Sequence, residues 1–115
     1  MPETMLGQRF HDIWYVGEVS EEGVDRIIEC LLDYHSKAEM RIRLRFYLEN
    51  VDDLSYMVHV RRILLQNTSL SILVEARPIE DLKRDVEAAE EEITLIKNKV
   101  DLQIPLNTKV KIMEV

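Results

Sequence analysis

The chain has 115 residues, a formal net charge of −7, a pI near 5.0 and one cysteine. One domain is expected at this length, burying roughly 65% of its unfolded surface, and the acidic balance argues against a phosphate-backbone binder, which would carry a basic face. Cys30 cannot form an internal disulfide, no leader pattern opens the chain and no apolar run approaches a bilayer's thickness, so the expectation is a cytoplasmic protein with neither nucleic acid nor membrane as partner.

Residues 1–10 carry Pro2 and Gly7 without any period and predict an N-terminal arm, with residues 11–115 forming a single α/β domain. Ile13-Trp14-Tyr15-Val16 predicts a short strand, followed by a turn at Gly17-Glu18-Val19. Ser20 is placed to cap a helix from Glu21 to about Lys37, where Val24, Ile27, Ile28, Leu31 and Leu32 form one apolar face. Met40 to Leu48 alternates, with Ile42, Leu44, Phe46 and Leu48 on one side and Arg41, Arg43, Arg45 and Tyr47 on the other. Such a strand is apolar on one face only. The three arginines are therefore candidates for ionic contact, with water, with the carboxylates of Glu90-Glu91-Glu92 or with a neighbouring subunit, and an anionic ligand is a further option.

Asn50, Asp52 or Asp53 can cap a second helix reaching about Asn67, with Leu54, Met57, Val58, Ile63, Leu64 and Leu65 as its apolar face. A strand over Leu70 to Ala76 follows, closed by Arg77-Pro78. From Pro78 to Asp101 the apolar residues Ile79, Leu82, Val86, Ala89, Ile93, Ile96 and Val100 are spaced alternately three and four apart, the a/d register of a coiled-coil seam. Pro78 suits a first helical turn, and the acids at the front with Lys97 and Lys99 near the end suit the helix dipole. This predicts one long helix whose seam lies against another subunit or, alternatively, along the chain's own domain. Ile104 to Asn107 predicts a turn, and Lys109 to Val115 a closing strand. The resulting order, β-α-β-α-β-α-β, points to a layered α/β sheet built by right-handed crossovers.

WYVGEVSEEGVDRIIECLL, the strand MRIRLRFYLEN and the strand LSILVEA together resemble the front half of the Clp protease proteolytic subunit, within the ClpP/crotonase fold. Gly17-Glu18-Val19, Ile27-Ile28 and Leu31-Leu32 stand at the matching places, and the resemblance covers roughly Arg9 to Ala76. It implies a small ClpP-like or generic three-layer domain. The chemistry the resemblance would imply lacks its residues here. Glu49 to Asp53 stands where that family has its glycine-rich oxyanion loop, Arg77-Pro78-Ile79-Glu80 where it has its serine, and His11, His35 and His59 all precede the serine's place.

The remaining candidates are each more simply structural. His35 ends an apolar helix face, Cys30 and His59 have no metal-ligand spacing around them, and Asp52-Asp53 reads as a helix cap, with cation binding the other option. All three glycines precede position 24, so no phosphate-cradling loop exists. No catalytic residue, cofactor or metal is expected. The sequence reading is a non-catalytic oligomeric assembly or regulatory protein, partnered by itself or a related subunit. Its alternatives are an enzyme with a site shared between subunits and an acidic protein-binding module.

Overall fold

Phe10–Gly17 forms β1, where the run Ile13-Trp14-Tyr15-Val16 is buried at every position in this computed structural model, which describes residues 10–17, 20–38, 41–68, 72–90, 92–98 and 110–114. A strand buried on both faces needs apolar or aromatic groups on each, and β1 supplies both. It ends at Gly17 with φ of 145°, a backbone region open in practice to glycine alone. Ser20 then caps α1 (Glu21–Ala38). Its Oγ accepts from the Gly23 N–H at 3.1 Å, its carbonyl accepts from the Val24 N–H at 2.9 Å, and Glu21 and Glu22 lie in the positive first turn.

The chain continues through β2 (Arg41–Leu48), α2 (Val51–Thr68), β3 (Ile72–Pro78), a single 3-10 turn (Ile79–Asp81), α3 (Leu82–Ala88), β4 (Ile93–Asn98) and β5 (Val110–Glu114). All neighbouring strands are parallel, in the order β3-β2-β1-β4-β5. The first two crossovers march outward from β1 to β3, and the third returns to the other edge of β1. Parallel crossovers are right-handed, so reversing the direction of march moves the connecting helix to the opposite face of the sheet. The packing agrees. Val24, Ile27, Ile28 and Leu31 of α1 and Val58 of α2 are buried with Ile13, Tyr15, Ile42, Leu44, Phe46, Ile72 and Val74, whereas Leu82 and Val86 of α3 are buried with Trp14, Val16, Tyr47, Ile93 and Leu95. This is a doubly wound α/β arrangement.

Two expectations are corrected. No single helix runs from Pro78 to Asp101. Pro78 is extended, with ψ of 145°, and closes β3, helical backbone stops at Ala88, and Ala89 is again extended with ψ of 128°. Proline's fixed φ serves a strand as well as a helix, so it did not discriminate. Ile93 and Ile96 stand instead on β4, paired with Asp12 and Tyr15 of β1. Without β4, the second edge of the central strand would leave a buried row of N–H and C=O groups unpaired, a cost larger than the helix propensity of the segment. Ile79, Leu82, Val86 and Ala89 do share a face, but that face packs on the chain's own sheet. Val100 and the expected Ile104–Asn107 turn lie outside the described residues, as does nearly all of the expected arm. The second correction is Leu64, assigned to the apolar face of α2 and in fact 53% exposed.

Ile93→Ala is expected to lower the unfolding free energy by about 2–5 kcal/mol, the range for truncating a well-packed aliphatic side chain. Urea denaturation at two protein concentrations tenfold apart checks this. An equal loss at both places Ile93 inside one chain, and a loss that vanishes at the higher concentration would place it between chains.

Candidate functional site

The alternation of β2 sends its arginines to the face opposite α1 and α2, and the parallel register lines them up with particular neighbours. Asp12 lies across from Arg43, Trp14 from Arg45, Arg45 in turn from Glu75, and Tyr47 from Arg77. Two ionic rungs result. Arg43 donates to both carboxylate oxygens of Asp12, Nε to Oδ1 at 2.7 Å and Nη2 to Oδ2 at 3.1 Å, and Arg45 Nε donates to Glu75 Oε1 at 2.7 Å. The Asp12 side chain is 8% exposed and that of Glu75 39%, so the first pair is far better shielded from water. Arg41 lies over the Phe10 ring, 4.3 Å from its centroid, and Arg45 lies 5.6 Å from the Trp14 centroid.

α3 covers only the carboxyl-terminal part of this face. Beneath it Tyr47 is fully buried, its ring 5.2 Å from that of Trp14, and its hydroxyl donates to Asp85 Oδ2 at 2.9 Å. Burial first, then the hydrogen bond and the negative charge of Asp85, push the Tyr47 hydroxyl well above the ordinary tyrosine value, with Arg45 and Arg77 acting in the opposite sense. The residue is a phenol held in place, not a base.

Among the described residues, a cavity of about 410 Å³ lies between α3 and the neighbouring part of the sheet. Its floor is Asp12 and Trp14 of β1, Arg43 and Arg45 of β2, Arg77 of β3 and Ile93 of β4, and its other wall is Asp85, Ala88, Ala89 and Glu90 from α3 and the segment after it. The Arg77 side chain makes no hydrogen bond or ion pair among the described residues, and the buried indole N–H of Trp14, on a side chain 2% exposed, likewise has no acceptor there. Both are donors without a partner on the same face.

The other candidates from sequence stay apart from this cavity. His59 is exposed on α2, within 2.9 Å of Arg62 Nη2. Asp52 is exposed in the first turn of α2; the side chains of Asp53, Cys30 and His35 lie outside the described residues. Among the described residues no three His, Cys, Asp or Glu side chains gather as a metal site would require. Glu49 and Asn50, at the place of the resembled family's oxyanion loop, are exposed residues leading into α2. The crevice at the carboxyl ends of β1 and β4, where doubly wound sheets bind phosphates, faces an α1 first turn already occupied by Glu21 and Glu22.

Sequence reasoning singled out the β2 arginines but missed Asp12, Trp14, Glu75, Arg77, Tyr47 and Asp85. A usable signal was present: Asp12 and Glu75 occupy alternating positions of strands flanking a strand of alternating arginines. The expected long helix offered Glu90-Glu91-Glu92 as partners and left Asp12 and Glu75 unconsidered.

Two outcomes follow from the geometry. Arg43→Met leaves the Asp12 carboxylate buried without its partner and is expected to cost about 3 kcal/mol. Arg45→Met leaves a half-exposed Glu75 and costs about 1 kcal/mol or less; chemical denaturation of the two variants side by side tests this ranking. Tyr47→Phe loses about 1 kcal/mol at neutral pH. Because the raised value favours the protonated form in the folded state, the wild type keeps this stabilisation below the ordinary tyrosine value of 10.0 and loses it as pH climbs above that. The gap between wild type and Tyr47→Phe in urea midpoints, measured from pH 8 to pH 11.5, narrows at the alkaline end. No family model matches the chain, and no curated protein or solved structure matches it either.

Proposed function

We propose that the chain is a non-catalytic regulatory domain that holds a small molecule between its sheet and α3. The observation carrying this reading is the cavity itself. At about 410 Å³ it has the size of small-ligand sites, and polar groups converge on it from three strands and a helix.

The state of its polar groups supports binding over chemistry. Asp12 accepts two charge-assisted hydrogen bonds from Arg43, Asp85 accepts from a phenol, and that phenol is held protonated. A general base needs a free lone pair near the reacting proton and a pKa near the working pH. These groups are instead tied to one another as walls. What stands open is the Arg77 guanidinium, which suits recognition of an acceptor.

The test is a ligand screen by thermal shift on the intact chain, followed by mapping each hit with ¹H–¹⁵N spectra. A ligand at 100 times its Kd raises stability by about 2.7 kcal/mol, a shift of several degrees for a domain this small. The reading requires that hits perturb the Trp14 indole N–H and the amides of Ala88 and Ala89. Hits that perturb only α1 or α2, or no stabilising compound in a broad metabolite panel, would overturn it.

A further inference from the structure

From the bonding state of each charged group in this cavity, we infer that its ligand is a small monocarboxylic acid, with the carboxylate held by the Arg77 guanidinium and the terminal nitrogens of Arg45 beside it. The inference rests on the small-molecule reading above and names the ligand class for that site.

The lining carries the guanidiniums of Arg43, Arg45 and Arg77 and the carboxylates of Asp12, Asp85 and Glu90. The acids are engaged. Asp12 accepts two N–H bonds from Arg43, Asp85 accepts the Tyr47 hydroxyl, and Glu90 has an interaction of its own. Among the described residues the Arg77 side chain has no partner, and Arg45 uses only Nε, on Glu75. The unmet demand is therefore for acceptors. It is also reachable: no nitrogen of Arg77 and neither Nη of Arg45 is both buried and unpaired, so their free N–H groups meet open space, whereas the Trp14 indole nitrogen is sealed and takes no part.

Strand register brings the two donors together. Arg45 lies across from Glu75 and Tyr47 from Arg77, so Arg45 and Arg77 share one face of the sheet a diagonal step apart. Both positive charges are felt at the Tyr47 hydroxyl, which puts them near one point of that face. A guanidinium offers five N–H groups in a planar fork that matches the two oxygens of a carboxylate. The other wall limits the charge of what enters. Asp85 and Glu90 repel a dianion, whereas a monoanion is matched by Arg77, the lining guanidinium that lacks a carboxylate partner among the described residues. A neutral amide of the same shape keeps one oxygen but loses the charge assistance, which roughly halves the strength of each bond.

The experiment titrates the intact chain at constant ionic strength with propanoate and benzoate, following the Arg77 Nε–H resonance and the Ala88 and Ala89 amides in ¹H–¹⁵N spectra. Parallel titrations use the neutral isosteres propanamide and benzamide and the dianions succinate and hydrogen phosphate. Saturable binding of the monocarboxylates is expected, at least about tenfold tighter than either the amides or the dianions. Arg77→Met should weaken benzoate at least about tenfold, read at the Ala88 and Ala89 amides, while leaving benzamide unchanged. Arg77→Lys serves as a second variant if the first does not fold: it keeps the charge, loses the planar fork and should weaken benzoate by a smaller factor. Benzoate affinity unchanged by these substitutions, or amides or dianions bound as tightly as the monocarboxylates, would overturn the inference and leave the small-molecule reading standing, as would a neutral hit from the thermal-shift screen mapped to Ala88 and Ala89. No binding in the cavity by any compound of the titrations or the screen would end both.

Discussion

A parallel sheet in this setting has to be covered on both faces, yet its second strand carries arginine at every other position. Everything on the α3 side of the molecule answers that constraint. Asp12 on one neighbouring strand and Glu75 on the other each take one guanidinium, the Phe10 and Trp14 rings lie under the cationic planes, and only the end nearest the β3 turn is apolar enough to receive a helix. A two-turn helix suffices for that end. Among the described residues no other helix lies on the remainder of that face, and the cavity borders it.

The two faces therefore hold by different physics. On the α1 and α2 side, aliphatic and aromatic groups are withdrawn from water with no charged member, and stability there depends on packed volume. On the other side, the buried ionic pair contributes little net stabilisation relative to an apolar replacement but is expensive to break, because either partner alone is a charge out of water. Such groups favour a particular neighbour more than they strengthen the fold. A binding surface made this way is preorganised: Arg43 and Arg45 are already anchored through their Nε atoms, so less side-chain freedom is lost when a ligand arrives.

Much of the fold was legible from residue order. The alternation Arg41 to Leu48 announced a strand with one polar face, the spacing of Val24, Ile27, Ile28 and Leu31 announced α1, and Ser20 announced its start. The failure at Pro78 to Asp101 has a definite cause. Positions three and four apart describe a helix face, but Ile93-Thr94-Leu95-Ile96 is equally a strand buried on both sides, and short apolar runs do not separate the two. What decides is non-local: β1 needs a partner on its second edge, and that demand is invisible within any window containing only the segment itself. The site was less legible than the fold for the same reason. Arg77 and Asp85 are brought to one cavity by a crossover to the opposite face, and Asp12 meets Arg43 across thirty-one positions of chain.

The ionic rungs also bear on how the sheet finds its alignment. Moving β2 by one residue against β1 would turn three guanidiniums into the aliphatic layer and bring Ile42, Leu44 and Phe46 out among carboxylates, an exchange in which both layers lose. A shift of two residues would keep the layers but set Arg45 beside Asp12 and leave Glu75 opposite the Tyr47 ring. Charge at alternate positions thus works as a proofreading device for strand alignment during folding, rejecting near-miss pairings that an all-aliphatic strand would tolerate.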